Sequence, residues 1–233
     1  MKHSFINREA TKKVAKALGR LNDEVVYVGG AMVSLYIDDS AAEDIRPTKD
    51  IDLTFELASY AKLEELREEL YNRGFTQSAE DTVNCRFRYD DLKVDVMATE
   101  AVGWAPSNRW FKLGFDKANS VKLDDTVIKI LPLPYFLATK LEAFFDRGIK
   151  DVYKSHDLED IVYLFNYTTT IDDTINQNDE EVKTFIKESL IKLLEDRKIT
   201  SAMLGCLYYE QADERMEIIL ERMENIISST QNQ

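Results

Sequence analysis

Long apolar runs, histidines and cysteines are scarce in this chain and basic residues are outnumbered by acidic ones, and each of these narrows what the protein is expected to be. No apolar run approaches the ~20 residues that a membrane-spanning helix needs, so no membrane role is expected. The two cysteines, Cys85 and Cys206, lie far apart with no metal-ligand spacing. They read as reduced, structural thiols, the usage of a cytoplasmic protein. Only two histidines occur, and His156 has no second histidine or nucleophile around it in a recognised pattern, so it reads as part of a helix start. Against 43 Asp and Glu there are 30 Lys and Arg, a formal charge of -13. That balance weighs against a surface that grips nucleic acid everywhere, because phosphate neutralisation needs cations. It is compatible with a local basic patch, and net negative charge also favours solubility. The opening MKHSFINREATKKVAKALGRL has no apolar signal-peptide stretch and reads as an amphipathic helix. There is no internal repeat.

What is present is a folded composition: 233 residues, 44% hydrophobic and 31% charged, enough for one large domain or two modest ones. Ile6, Ala10, Val14, Ala17, Leu18 and Leu21 keep helical spacing until Asn22-Asp23. EVVYV is a short strand bounded by Gly29, and AMVSLYI resumes as a short helix. DDSAAEDIRPTK is polar and contains a proline, hence a loop. Asp50 to Leu57 reads as a strand, and ASYAKLEELREELYNRG as a helix stopped by Gly74. NCRFRYD and LKVDVMA are further strands, joined by a tight Asp90-Asp91 turn that lacks the preferred glycine. A less regular stretch with Trp104 and Trp110, read as core or rim packing residues with base stacking as the alternative, leads to SVKL and TVIKILP, expected as edge strands. After Pro132 and Pro134 only helical patterns remain, at about 134–147, 156–166, 178–195, 199–210 and 212–228, with polar TTTIDDTINQNDEE as a separator. The expected class is α+β, with a mixed-sheet core over residues 1–131 and a helical C-terminal lobe over 132–233.

Asp50 and Asp52 stand two apart on a strand and so share a face. Each raises the cost of ionising the other, and a divalent cation with a preference for hard oxygen ligands removes that repulsion. In LKVDVMA, Leu92, Val94 and Val96 alternate with Lys93, Asp95 and Met97, so Asp95 projects from the opposite face to the apolar set. It is placed either to complete a three-carboxylate cluster or to face solvent on an edge strand. A cluster of that kind suits two ions that position a triphosphate and an attacking hydroxyl for in-line displacement. Gly29 and Gly30, between a strand and a helix, allow close backbone approach to phosphate and expose free N–H groups. Neither feature is specific alone; together, and in this order along the chain, they describe a nucleotide site.

At these residues the chain resembles the nucleotidyltransferase superfamily, whose pattern is a hydrophobic residue and Gly-[Gly/Ser], then Asp-x-Asp, then a third carboxylate. More narrowly, RPTKDIDL and KLEAFFDRGIKDVYKSHDLEDIVYL are similar to blocks of the AbiEii/AbiGii-type toxins of type IV toxin–antitoxin systems. The resemblance implies a polymerase-β-like mixed-sheet core with a C-terminal helical bundle. It implies Asp50, Asp52 and Asp95 as ligands of Mg²⁺ or Mn²⁺, and Gly29, Gly30, Arg46, Thr48, Lys140 and Arg147 as nucleotide-binding residues. Lys140, Asp157 and Asp160 join the catalytic set by the same resemblance. Ala31 and His156 depart from it, where many relatives have a polar residue and Arg. From the residues alone, Lys140, Ala143 and Arg147 form one helical row, where Lys140 is placed either to offset triphosphate charge without a carboxylate partner or to pair with a nearby Glu or Asp on the surface. Ser155 reads as an N-cap, and Asp157 as an acid favoured by the first helical turn.

The function these expectations add up to is metal-dependent transfer of a nucleoside monophosphate from an NTP to an acceptor, with release of pyrophosphate. The resemblance implies a toxin, an acceptor such as tRNA or a protein, and a cognate antitoxin as partner. The alternative is a nucleotide-binding sensor or partner-binding protein with little turnover.

Overall fold

The computed structural model describes residues 3–48 and 50–229; Lys49 of the RPTKDIDL segment lies outside them. The chain divides into two compact units, Met1–Ser34 with Asp44–Pro132, and Leu35–Glu43 with Leu133–Gln233.

The first unit is built on a six-stranded sheet of order β3-β4-β2-β1-β6-β5. Its strands are β1 (Val25–Val28), β2 (Asp50–Phe55), β3 (Arg86–Tyr89), β4 (Leu92–Ala98), β5 (Asn119–Leu123) and β6 (Thr126–Ile130). The apolar VVYV of β1 is buried throughout. It pairs antiparallel with β2 and parallel with β6, as a central strand of a mixed sheet should. TVIKI is therefore an interior strand, not the edge expected of it, because β5 folds back to cover its outer side. The two hairpin turns place Asp90 at φ 51° and Asp124 at φ 54°. Aspartate tolerates this left-handed conformation, which explains how both turns close without glycine.

Helix α1 (His3–Leu18) buries Asn7, Thr11, Val14 and Leu18 along one stripe. A 3₁₀ segment, Gly19–Asp23, takes up the end of the run read as one helix. Helix α2 (Tyr60–Asn72) starts at Ser59, whose hydroxyl accepts from the Lys62 N–H, and buries Leu63, Leu66 and Leu70. It stops where Gly74 adopts φ 88° and Phe75 N–H returns to the Leu70 carbonyl. Within the stretch read as irregular, α3 (Arg109–Phe115) forms behind an Asn108 cap and buries Trp110 completely. Trp104 donates to Glu64 and lies under the Arg67 guanidinium, a rim position.

The second unit is helical: α4 (Leu133–Asp146), α5 (His156–Tyr167), α6 (Ile171–Asn176), α7 (Glu180–Glu195), α8 (Arg197–Gly205) and α9 (Ala212–Ser228). Residues 133–141 of α4 are all buried, so it is the central helix of this unit. Val182, Ile186, Leu190 and Leu193 of α7 and Ile219, Met223 and Ile226 of α9 supply apolar stripes at helical spacing. The polar separator turns out to contain α6, held by buried Ile171 and Ile175 one turn apart. The helix expected at 199–210 stops at Gly205, and a separate 3₁₀ turn covers Tyr209–Gln211. Residues 35–43 belong to this unit as well. Thr169 N–H donates to Asp38 at 2.6 Å, and Tyr36 stacks on Phe136 with ring centroids 4.5 Å apart.

Candidate active site

Strand alternation and register assemble the first cluster. In β2 the pattern is half-buried Asp50, buried Ile51, half-buried Asp52, buried Leu53, so the two aspartates share the face away from the apolar pair. β2 and β4 run parallel with Asp52 directly opposite Asp95, and β3 and β4 run antiparallel with Asp95 directly opposite Arg86. Asp52, Asp95 and Arg86 therefore form one row across three strands, with Asp50 two residues along. Strand β4 lies between β3 and β2, so Asp95 is not on an edge.

Gly29 closes one side of this row. It follows β1 at φ 75°, and a Cβ added there would lie 1.7 Å from Oδ2 of Asp52. No other residue fits that position with Asp52 where it stands. Gly30 opens a 3₁₀ helix of six residues through Leu35, where a short helix was expected. Gly29 thus brings backbone, not side chain, up to the Asp52 carboxylate.

The loop ahead of the aspartates is held from α1. Asn7 is fully buried; its side-chain carbonyl accepts from Thr48 N–H at 2.9 Å and its amide donates to the Arg46 carbonyl at 3.3 Å. Thr48 in turn accepts from Asp50 N–H through its hydroxyl at 3.1 Å. Asn7 was not among the expected site residues, although an amide on the buried stripe of α1 is the kind of signal that marks such a pin.

Arg86 was also missed. Its Nε and Nη2 each lie 2.7 Å from a different oxygen of Asp95, a bidentate pair with side chains 20% and 18% exposed. The pair holds the guanidinium's pKa above its ordinary value, with the fields of Asp95 and Asp50 adding to the hydrogen bond. Neighbouring Cys85 is pushed up to about 11, by burial first and then by Asp95, with Asp52 a smaller contributor.

The second cluster lies within the helical unit. Lys140 of α4 is buried, with Nζ 2.6 Å from Asp160 and 3.7 Å from Asp157 of α5. Arg147 binds Asp157 bidentately at 2.8 and 3.1 Å while remaining 69% exposed. Ser155 caps α5 by accepting from Leu158 N–H, as its position suggested. Asp157 does more than favour the first turn, being a buried anion shared between two cations. Of the two readings of Lys140, the structure shows the paired one, but buried rather than on the surface, because α5 presents Asp157 and Asp160 at helical spacing against α4.

The donors fit a divalent cation in part. Asp50 and Asp52 offer hard oxygens from one face, and the space that a Cβ on Gly29 would fill is left to the Asp52 carboxylate. Both oxygens of Asp95, in contrast, are engaged by Arg86. Among the described residues, no group of three or more His, Cys, Asp or Glu side chains stands ready to hold a metal ion. None of the described helices is long and apolar enough to cross a membrane.

No curated protein matches the chain. Among solved structures it is similar to an antigenic nucleotidyltransferase-like protein from Paracoccidioides brasiliensis, with 16% identity, a TM-score of 0.48, and coverage of 84% of this chain and 91% of that one. A family model, Nucleotidyl transferase AbiEii toxin, Type IV TA system, matches residues 16–217, a span that takes in every strand of the sheet and both charged clusters. The chain belongs to the AbiEii nucleotidyltransferase-toxin family.

Proposed function

We propose that the protein is a metal-dependent nucleotidyltransferase that moves a nucleoside monophosphate from an NTP to an acceptor hydroxyl and releases pyrophosphate. The observation that carries this reading is the in-register Asp52–Asp95 pair beside a Gly29 whose missing Cβ makes room for the Asp52 carboxylate. Two carboxylates side by side and a third two residues away repel one another, and a structural sheet gains nothing from that placement. Asp50 and Asp52 would hold Mg²⁺ or Mn²⁺, with Asp95 as the third ligand once its oxygens are released. When bound, the ion would supply charge neutralisation at the reacting phosphate and raise the acidity of the attacking hydroxyl.

The chain's own groups supply the rest. Backbone N–H groups at Gly29 and Gly30 would serve phosphate oxygens, since neither residue carries a side chain of its own. Asn7 keeps Arg46, Thr48 and Asp50 in register with one another, so the acids arrive pre-oriented. In the helical unit, Lys140, Arg147, Asp157 and Asp160 bring as many positive as negative charges. Arg147 is the exposed cation of that set and the one suited to meet a phosphate, whereas Lys140 orients the two aspartates from within. Membership of a toxin family of type IV systems supports a toxin role with a cognate antitoxin as its restraint; the acceptor would be RNA such as tRNA, or a protein.

The test is to incubate the protein with each NTP labelled at the α-phosphate, Mg²⁺ or Mn²⁺, total RNA and cell lysate, beside the Asp50→Asn/Asp52→Asn variant. Label moving to RNA, protein or a small molecule with the wild type alone supports transfer and identifies the acceptor class. Nucleotide binding with no label transferred to any acceptor would favour a nucleotide sensor. Absence of binding would remove the site.

A further inference from the structure

Asp95 is held differently from the other two carboxylates of the sheet. Arg86 grips both of its oxygens at 2.7 Å, in the parallel two-bond geometry that guanidinium and carboxylate favour. The contact is no accident of a long surface side chain. Arg86 and Asp95 are direct cross-strand partners in the β3–β4 hairpin, and each is about four-fifths buried. The same guanidinium lies in the field of Asp50. A positive group thus already occupies the third-carboxylate position of a site whose other members are Asp50 and Asp52.

A guanidinium bonded to both oxygens of a carboxylate occupies one lone pair on each, and its charge repels a dication brought to the same group. We propose that Arg86 is an internal counter-cation that competes with divalent metal for Asp95, so that full loading of the site requires Arg86 to leave. This rests on the metal-site reading above, and it adds that the resting protein binds metal more weakly than its three carboxylates would. Arg86 is in this sense a positioning residue: it acts on the metal through Asp95. With Arg86 in place the charge of Asp95 is offset, while Asp50 and Asp52 keep the sheet face negative. A merely structural Arg86 would have the opposite signature, since its loss would then loosen β3 and weaken metal binding.

The experiment titrates Mn²⁺ into the full chain without nucleotide, following the loss of the free-ion signal by electron paramagnetic resonance. The proteins are the wild type, Asp52→Asn, Arg86→Gln, Arg86→Lys and Arg86→Gln/Asp95→Asn, each checked for fold by circular dichroism. The expected result is Mn²⁺ binding at least about tenfold tighter in Arg86→Gln, equivalent to about 1.4 kcal/mol. Arg86→Lys, which keeps the charge and loses the fork, should fall between it and the wild type. The gain should vanish in the double variant, where Asp95 is no longer a carboxylate. If Arg86→Gln folds and binds no more tightly than the wild type, including no binding in either, the inference is overturned. If Asp52→Asn binds as the wild type does, the metal-site reading itself fails and the inference fails with it, so the two failures are told apart.

Discussion

Replacing Gly29 with alanine tests the geometry of the site with one methyl group. Two costs add. Gly29 sits at φ 75°, where an L-residue is disfavoured by about 1–2 kcal/mol. The new Cβ would stand 1.7 Å from Oδ2, 2.6 Å from Cγ and 2.8 Å from Cβ of Asp52, so side chain or strand must shift. Forced overpacking of that kind costs about 1–3 kcal/mol. The sum, roughly 2–5 kcal/mol, should lower the midpoint of thermal unfolding by several degrees at about 2–4 °C per kcal/mol for a domain of this size. Both tryptophans, Trp104 and Trp110, lie in the sheet unit, so their fluorescence follows that unit during urea unfolding. Asp52→Ala in the same chain removes the two oxygens and Cγ, and the double variant should recover about 1 kcal/mol or more relative to simple additivity. Gly205→Ala is the control: its added Cβ meets nothing within 4 Å, and far-ultraviolet circular dichroism should show little change or a small gain. A Gly29→Ala protein as stable as the wild type, or strict additivity with Asp52→Ala, would refute the close approach and with it the support it lends the site.

Three further outcomes follow from the same geometry. Lys140→Met removes the cation 2.6 Å from an Asp160 side chain only 2% exposed. It should cost about 3–5 kcal/mol by chemical denaturation, with Lys140→Met/Asp160→Leu recovering much of it, and a loss under about 1 kcal/mol would contradict the buried pair. Asn7→Ala strips Thr48 N–H and the Arg46 carbonyl of their partner. A cost of about 1–3 kcal/mol is expected, together with transfer activity that falls further than stability alone predicts. The Cys85 thiol, raised from 9.0 to about 11, should alkylate about a hundredfold more slowly at pH 8 than in the unfolded chain, read peptide by peptide by mass spectrometry. Its rate should climb until about pH 11. Because the folded thiol keeps its proton longer, its contribution to stability is present below about pH 9 and lost as the pH rises toward 11.

Local periodicity made much of this legible. Period two in DIDLTF put Asp50 and Asp52 on one face, and the buried-exposed alternation of β4 put Asp95 on the face away from its valines. The Arg86–Asp95 pair was within reach of the same reasoning. A two-residue turn at Asp90-Asp91 pairs Tyr89 with Leu92, and counting outward pairs Arg88 with Lys93, Phe87 with Val94 and Arg86 with Asp95. What no local rule supplies is the parallel register of β2 on β4, since a loop, a helix and a strand intervene and nothing short in sequence sets the offset. The interior place of β6 was hidden for the same reason: its parallel partner β1 is a hundred residues away along the chain, by order of magnitude. Helix α6 escaped because its two buried isoleucines are outnumbered by polar residues, and packing rather than composition decides such short helices.

The charges show most clearly where sequence reasoning stops. The Lys140–Arg147 row was visible as a row, yet a cation's function depends on the anion opposite it, and that anion comes from tertiary structure. Arg86 answers Asp95, Lys140 answers Asp160, and Arg147 answers Asp157. In a chain of formal charge -13 the acids outnumber the bases, so a cation near a carboxylate-rich site is expected to be engaged already. Under the proposed function, a metal arriving at the sheet cluster, or a phosphate at the helical one, therefore meets paired charges, and binding at either is an exchange of partners rather than an addition. The net gain is then the small difference between two ion-pair networks, each strong on its own. That predicts steep sensitivity to single neutralising substitutions in either direction: loosening when an anion's cation is removed from the interior, as at Lys140, and tighter metal binding when the removed cation was the competitor, as at Arg86.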